Sequence, residues 1–290
     1  MYEVCRYQRT NVGGSAALYE LLAKNRDHKV RRIVVASSRA IYGEGAYQCL
    51  HHGIVYPVSR SSDAKQRGEF DPLCPVCGAA CKSIPTPEAS PLQPSSFYGL
   101  TKLVQEQAAI LFGRVLGIPT FALRYQNVFG PGQSLENPYT GILAIFSNLA
   151  RKGLPIRVFE DGAESRDFVY VGDVVSATAA CLTAQADGCH VVNVGSGQQT
   201  TVLEVARAVN SFFGGHSNIE ITGAFRDGDI RHGMADLTLV KQLLGYQPQW
   251  KFSDGLRRFL EWATESEPST TGYERSLDEL RQRGLLHARG

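Results

Sequence analysis

Residues 32–38 read Arg32-Ile33-Val34-Val35-Ala36-Ser37-Ser38, a short β-branched run that suits a strand buried on both faces. Downstream, the spacing predicts a long helix over 96–116. Ser95 or Ser96 caps it, Val104, Ala108, Leu111 and Val115 form its apolar stripe, and Gly117 stops it. Ile118-Pro119-Thr120-Phe121-Ala122-Leu123 reads as the next strand. Upstream, a helix over 11–22 starts at Thr10 or Asn11, with Val12, Ala16, Tyr19 and Leu22 at helical spacing. Helix, strand, helix, strand in this order predicts an α/β fold with a parallel, doubly wound sheet.

Beyond Gly130 the texture changes. A Pro/Gly-rich loop, a helix over 142–151 and short strands over 156–159 and 167–169 predict a second, smaller α/β lobe. Further helices are expected over 174–182, 203–213 and 237–244. A strand over 190–194 returns to the main sheet, and the polar tail from Ser266 is expected to be loosely held. Of the 290 residues, 43% are hydrophobic and 20% charged, as in an ordinary globular protein. A net charge of +2 gives no warrant for a nucleic-acid partner, and no apolar run reaches the ~18 residues of a membrane span. The N-terminus mixes charged and polar groups unlike an export signal, so a cytoplasmic location is expected. Seven unevenly placed Cys then read as thiols or metal ligands rather than a disulfide framework.

Tyr98-Gly99-Leu100-Thr101-Lys102 carries the strongest chemical signal. Four residues apart on a helix, Tyr98 and Lys102 share one face. A phenol titrates near ~10, and a neighbouring ammonium moves it toward neutral pH, where it can act as a base. The bare pair has a bland reading too, a packed Tyr beside a solvated Lys.

The company this pair keeps resembles the extended short-chain dehydrogenase/reductase family, the NAD-dependent epimerases and dehydratases. Ser37-Ser38-Arg39-Ala40-Ile41-Tyr42-Gly43 resembles the segment that supplies the family's catalytic hydroxyl. Leu123 through Pro131 (LRYQNVFGP), Phe159-Glu160-Asp161-Gly162, Arg166-Asp167-Phe168, Val192 through Gly197 and Arg226-Asp227-Gly228-Asp229-Ile230 follow in family order. Further likeness lies in Tyr42-Gly43-Glu44-Gly45, in Asn137-Pro138-Tyr139-Thr140-Gly141 and in Gly228 through His232. The resemblance implies an incomplete Rossmann-type sheet with a nucleotide-sugar lobe. It implies Ser38, Tyr98 and Lys102 as catalytic residues, and Ser37, Tyr98, Lys102 and Gln126 beside NAD, with Ser37 a strand-end residue. Ser38, Asn127, Arg166, Arg226 and Asp229 would meet the substrate, the arginines pairing with its diphosphate. Gln126 departs from the family's Phe. The dehydratases' Asp-Glu after the catalytic hydroxyl is replaced by Arg39-Ala40, which disfavours dehydration. The implied reaction is 4-epimerisation of a nucleotide sugar through a 4-keto intermediate, dTDP-L-rhamnose first and UDP-glucose or a UDP-uronate second. A homodimer is implied as well.

Between residues 45 and 94 periodicity vanishes, and a loop this long is functional or stapled. Cys49-x-x-His52 and Cys74-x-x-Cys77, separated by residues 53–73, can supply a tetrahedral structural zinc site. Cys81 and His51 are spare ligands, and the bland reading is a set of unligated thiols. Gly195-Ser196-Gly197, between a strand and a helix, could pass for a phosphate loop, although a lone Gly-x-Gly is weak. The expected division assigns 1–131 and 171–195 to the Rossmann-like part, with the Cys-rich insertion at 45–94, and 132–170 and 196–290 to the substrate lobe. The family's glycine-rich turn and second-strand acid are not found, on the order of 80 residues by βαβ length. A non-catalytic remnant that binds a nucleotide sugar is the alternative expectation.

Overall fold

The computed structural model describes residues 4–25, 27–135, 141–265, 267–268 and 271–288. At its centre Thr120–Tyr125 is paired in parallel with Ile33–Ser38 on one side and Cys189–Val194 on the other. The central strand is buried along nearly its whole length, which its apolar run TFAL anticipates. Ser38, Tyr125 and Val194 lie in register, so the three strands end together on one edge.

The long helix is Phe97–Leu116, capped by the Ser96 hydroxyl, which accepts the Gly99 N–H at 3.0 Å, and stopped by left-handed Gly117. Its expected apolar stripe does not face the sheet. Val104, Leu111 and Val115 are exposed, while Gly99, Thr101, Glu106, Ala109 and Gly113 are buried. The reason is closeness: a Cβ on Gly113 would lie 2.1 Å from Thr120 Oγ1. Only small residues fit there, and Glu106 is admitted because Arg124 pairs with it at 2.6 and 3.0 Å.

The N-terminal helix also departs from expectation. Helical backbone runs through Val4–Tyr7, a π turn at Gln8–Gly13 and Gly14–Lys24, with no cap at Thr10 or Asn11. Asn11 instead donates to Thr101 Oγ1 at 3.1 Å, and Tyr19 stacks on Phe112. This segment therefore lies along the Phe97–Leu116 helix.

Two main cores flank the site. One joins the sheet to Val171–Thr183 through Phe121, Leu123, Ala177 and Val192. Thr238–Leu244, expected with the second lobe, belongs to this core through Val240. The other gathers Phe129, Phe146, Ile156, Phe168, Val205 and Phe259, from Ile142–Arg151, Val202–Phe212, Phe252–Ala263 and short strands. Asn127–Phe129 pairs in parallel with Phe168–Tyr170 and leads from the sheet into this second core. The tail is held more firmly than expected. Thr271–Gln282 is helical with Leu277 and Leu280 buried, and Leu286–His287 pairs with Phe225–Arg226.

The insertion forms an antiparallel sheet of Gly53–Val55, Tyr47–Cys49 and Lys82–Ser83, with a small core of Tyr47, Cys49, Val55 and Cys74. Among the described residues no helix is long and apolar enough to cross a membrane.

Candidate active site

Ser38 ends its strand in extended conformation, and its hydroxyl accepts the Ala40 N–H at 3.1 Å as the chain turns into Arg39–Ile41. Tyr98, in the first turn of the long helix, lies near enough to Ser38 for its phenol to feel the Ser38 hydroxyl. Its ring meets Tyr7 edge-on at 5.5 Å. One turn along, Lys102 Nζ donates to the Ala36 carbonyl at 2.7 Å and to Gln105 Oε1 at 2.8 Å. Gln105 is steadied in turn by Ser15. The structure therefore brings Ser38, Tyr98 and Lys102 to one strand end.

The electrostatics differ from the simple expectation. Burial raises the Tyr98 pKa above that of a free phenol, and the nearby Ser38 hydroxyl acts the other way. Burial lowers the Lys102 pKa. The ammonium is turned to a backbone carbonyl and an amide, where it anchors the helix to the strand.

Ser37 is a correction. Strand alternation turns its hydroxyl into the core, where it donates to Glu106 at 2.6 Å, so its part is to bind strand to helix. Gln126 is buried, its N–H on the Val194 carbonyl and its side chain against Gly195. The phosphate-loop reading of Gly195-Ser196-Gly197 is overturned too. The buried Asp167 carboxylate already accepts both the N–H and hydroxyl of Ser196 and the N–H groups of Gly197 and Ala235.

Asn127, Arg166, Arg226 and Asp229 line one cleft beside the second core. Arg157, Glu164 and Tyr273 share it, with Phe146, Phe168 and Val202 as apolar wall. Arg226 stacks over the Phe159 ring at 4.8 Å. Arg166 donates three bonds to the carbonyls of Ser165, Ile230 and Arg231, which fix its guanidinium in place. The Ser95 hydroxyl donates to the Gly228 carbonyl at 3.1 Å, tying the start of the Tyr98 helix to the Asp229 loop. Residues 137–140, quoted above as a likeness, lie outside the described residues.

In the insertion, the ligand atoms of Cys49, His52, Cys74 and Cys77 all lie within 4.8 Å of one another. Cys49 Sγ is 3.7 Å from His52 Nδ1 and 3.8 Å from Cys77 Sγ, and Cys74 Sγ is 3.7 Å from His52 Nδ1. His52 rather than His51 joins the cluster. Cys81 lies beside it, with its sulfur on the Ala79 carbonyl.

A buried ion network, unreadable from spacing, joins this insertion to the cleft. Arg60 pairs with Glu160 at 2.8 Å and Glu44 at 3.2 Å and donates to the Asp229 carbonyl at 2.9 Å. Arg231 meets Asp161, Glu160 and Asp71 between 2.7 and 3.0 Å. Glu160 stands in this network with a positive φ of 47°, a backbone conformation that non-glycine residues seldom adopt. Glu164 and Tyr273 were equally beyond the sequence reading, since neither carried a motif.

Comparison with known proteins agrees with this geometry. Residues 74–195 match the NAD dependent epimerase/dehydratase family. The chain is 38% identical over 263 residues to dTDP-L-rhamnose 4-epimerase of Burkholderia thailandensis, covering 91% of this chain and 70% of that protein. It is 32% identical to a putative UDP-glucose 4-epimerase of Methanocaldococcus jannaschii, covering 62% of this chain and 57% of that one. Among solved structures it resembles the UDP-glucose 4-epimerase of Thermotoga maritima in complex with UDP-glucose, with TM-score 0.70 and 30% identity over 91% of this chain and 72% of that chain. It also resembles MoeE5 in complex with UDP-glucuronic acid and NAD, with TM-score 0.71 and 26% identity over 91% of this chain and 74% of that chain. A serine and a tyrosine side by side at the end of a parallel sheet, with a lysine one helical turn along, thus coincide with likeness over nine-tenths of the chain, and this protein belongs to the NAD-dependent epimerase/dehydratase family.

Proposed function

We propose that this chain carries the catalytic and substrate-binding residues of a nucleotide-sugar 4-epimerase whose substrate is dTDP-L-rhamnose. The observation that carries the reading is the placement of Tyr98 beside Ser38 at the strand end, with Lys102 one turn away on the Ala36 carbonyl. The likeness to the Burkholderia thailandensis enzyme supports the sugar. UDP-glucose or a UDP-uronate is the second reading, favoured by the likeness to the Thermotoga maritima structure and to MoeE5.

The donor set at the strand ends fits the reacting end of NAD. A phenol, a hydroxyl and an ammonium face one place, and Lys102 has three N–H donors against two acceptors contacted here. Tyr98 and Lys102 would hold that end, with Gln126 behind them at the Gly195 turn. NAD, when bound, supplies reversible acceptance of a hydride from the sugar. Tyr98 removes the proton from the sugar's 4-hydroxyl, and Ser38 donates a hydrogen bond to that oxygen as it becomes a carbonyl. Tyr98 takes up that proton as the phenolate, the form that the Lys102 ammonium would steady. After the keto sugar turns within the site, Tyr98 returns the proton to the same oxygen and the configuration at that carbon is inverted. Arg39 and Ala40 follow Ser38, so these two positions offer no acid for eliminating water. Asn127, Arg166, Arg226 and Asp229 bind the nucleotide end in the cleft.

The fold divides, on this reading, into a Rossmann-like part around the parallel sheet and a substrate lobe around the second core. Zinc in the insertion is part of the same proposal. A tetrahedron built on Zn–S and Zn–N bonds of about 2.3 and 2.0 Å has edges of roughly 3.5–3.8 Å, and the separations of Cys49, His52, Cys74 and Cys77 suit it. Such thiolate ligands suit a reducing cytoplasm. A homodimer is supported by apolar side chains that the Gly14–Lys24 and Phe97–Leu116 helices leave open, where Leu18, Leu21, Leu111 and Val115 are all more than half exposed.

The test is to incubate the chain with NAD and either dTDP-L-rhamnose or UDP-glucose and resolve the products by NMR. Formation of the C4 epimer of the first supports the primary reading, and of the second alone the alternative. Conversion of neither sugar contradicts both.

A further inference from the structure

Glu164 stands out among the cleft residues because it is deeply buried and poorly satisfied. It is 7% exposed, and its Oε2 has no hydrogen-bond partner among the described residues. Across the same cleft, Arg226 Nε is likewise buried and unpartnered, although its guanidinium is stacked on Phe159. Leaving such groups unmatched is costly, more so when they are charged, so a fold retains them where something else completes the bonds. The two vacant sites are complementary in kind: Arg226 requires an acceptor, and Glu164 completes its bonding with a donor.

A nucleoside diphosphate has both. The sugar must reach Tyr98, which does not line this cleft. The diphosphate and nucleoside are therefore the parts left to fill it. Arg157, Arg166 and Arg226 give it a cationic side for phosphoryl oxygens, and Phe146, Phe168 and Val202 give it an apolar wall for a planar base. Glu164 lines the same cleft.

We infer that Glu164 is a specificity-determining residue that takes a hydrogen bond from a donor of the nucleoside, while Arg226 receives a phosphoryl oxygen. This rests on the nucleotide-sugar reading of the cleft and deepens it. Two groups of dTDP offer that donor, the 3′-hydroxyl of the deoxyribose and the imide N3–H of the base. Burial, with Glu160 adding to it, pushes the Glu164 pKa up to about 7. The carboxyl is thus poised at neutral pH, and the cost of holding it in the cleft is partly relieved by protonation.

Calorimetric titration of the chain with dTDP, 3′-deoxy-dTDP and N3-methyl-dTDP tests the inference, using the native protein, Glu164→Gln and Glu164→Leu. The Leu variant should bind dTDP about tenfold more weakly, or worse, and the Gln variant should stay within about threefold of native. One of the two altered nucleotides should bind native protein as weakly as dTDP binds the Leu variant, with no further loss on that variant. Which one does so identifies the donor. The Leu variant should also melt no lower than native, because an unmatched carboxyl has been removed from the interior. If Leu does not fold, Glu164→Ala replaces it in the same titrations. Native-like dTDP affinity in the Leu variant, or losses that simply add, would overturn the role of Glu164 alone. If native protein binds neither dTDP nor UDP, the nucleotide reading falls with it.

Discussion

Gly99 lies so close to Ala40 that a Cβ on it would stand 2.6 Å from the Ala40 carbonyl oxygen. That approach sets the first turn of the Phe97–Leu116 helix, which carries Tyr98, against the turn leaving Ser38. Gly99→Ala must push the helix outward. The expected result is at least a tenfold loss of kcat, with nucleotide affinity unchanged because the cleft residues lie elsewhere. Steady-state kinetics beside nucleotide titration checks this.

The Cys49, His52, Cys74 and Cys77 cluster predicts one zinc per chain. Cys74→Ser should reduce the metal content to near zero and lower the melting temperature, since the insertion has little apolar core besides Tyr47, Cys49, Val55 and Cys74. Cobalt substitution should give the ligand-field spectrum of tetrahedral thiolate coordination. Metal analysis of protein grown with zinc, finding none bound, contradicts the site.

Arg60 joins the insertion to the cleft through Glu160, Glu44 and the Asp229 carbonyl. Arg60→Ala leaves two buried carboxylates short of a partner, at a cost of about 3–5 kcal/mol by analogy with broken buried pairs. Urea denaturation should show that loss. KM for the nucleotide sugar should rise as well, because Asp229 loses its support.

Glu164 also gives the fold a pH dependence. Its folded pKa of about 7 lies above its ordinary 4.5, so in that window the folded chain holds the extra proton. Its contribution to stability therefore falls as pH rises from about 4.5 to about 7. Glu160 opposes its ionisation, while Arg166 and Arg231 favour it, and Arg226, Arg157 and Asp229 share the cleft. Glu164→Gln removes the titration, so the stability of the variant relative to native should grow across the window. His232, held at about 4 by burial and Arg231, titrates in both proteins and cancels. Denaturation midpoints at the two ends of the window measure the difference.

How much of this was legible in the sequence depends on what kind of interaction positions each group. The Thr120–Tyr125 strand was readable because a strand buried on both faces requires an unbroken apolar run. Ile33–Ser38 was read as a strand from a similar run, but it lies at the sheet edge with only Ser37 buried and Ala36 exposed. Its expected burial on both faces is therefore corrected. That Tyr98 and Lys102 share a helix face was readable because helical spacing is a local property, whereas Ser38 joined them only through the family resemblance. The inner face of the Tyr98 helix was misread because small residues at Gly99, Ala109 and Gly113 make the closest contact, and the larger apolar residues are left outside. Ser37 illustrates a related limit, since adjacency to Ser38 suggested a shared site while strand alternation separates them. Arg60, Glu160, Arg231 and Glu164 were invisible as a group. Their pairings cross from residue 60 to residue 231, and no local pattern marks an acid that will be buried.

The most direct measurement is turnover and nucleotide binding in Tyr98→Phe. With NAD and dTDP-L-rhamnose, the account predicts that C4 epimer formation is abolished while dTDP affinity stays within about twofold of native. Epimer formation at the native rate would show that the phenol beside Ser38 is not the base, and would contradict the account.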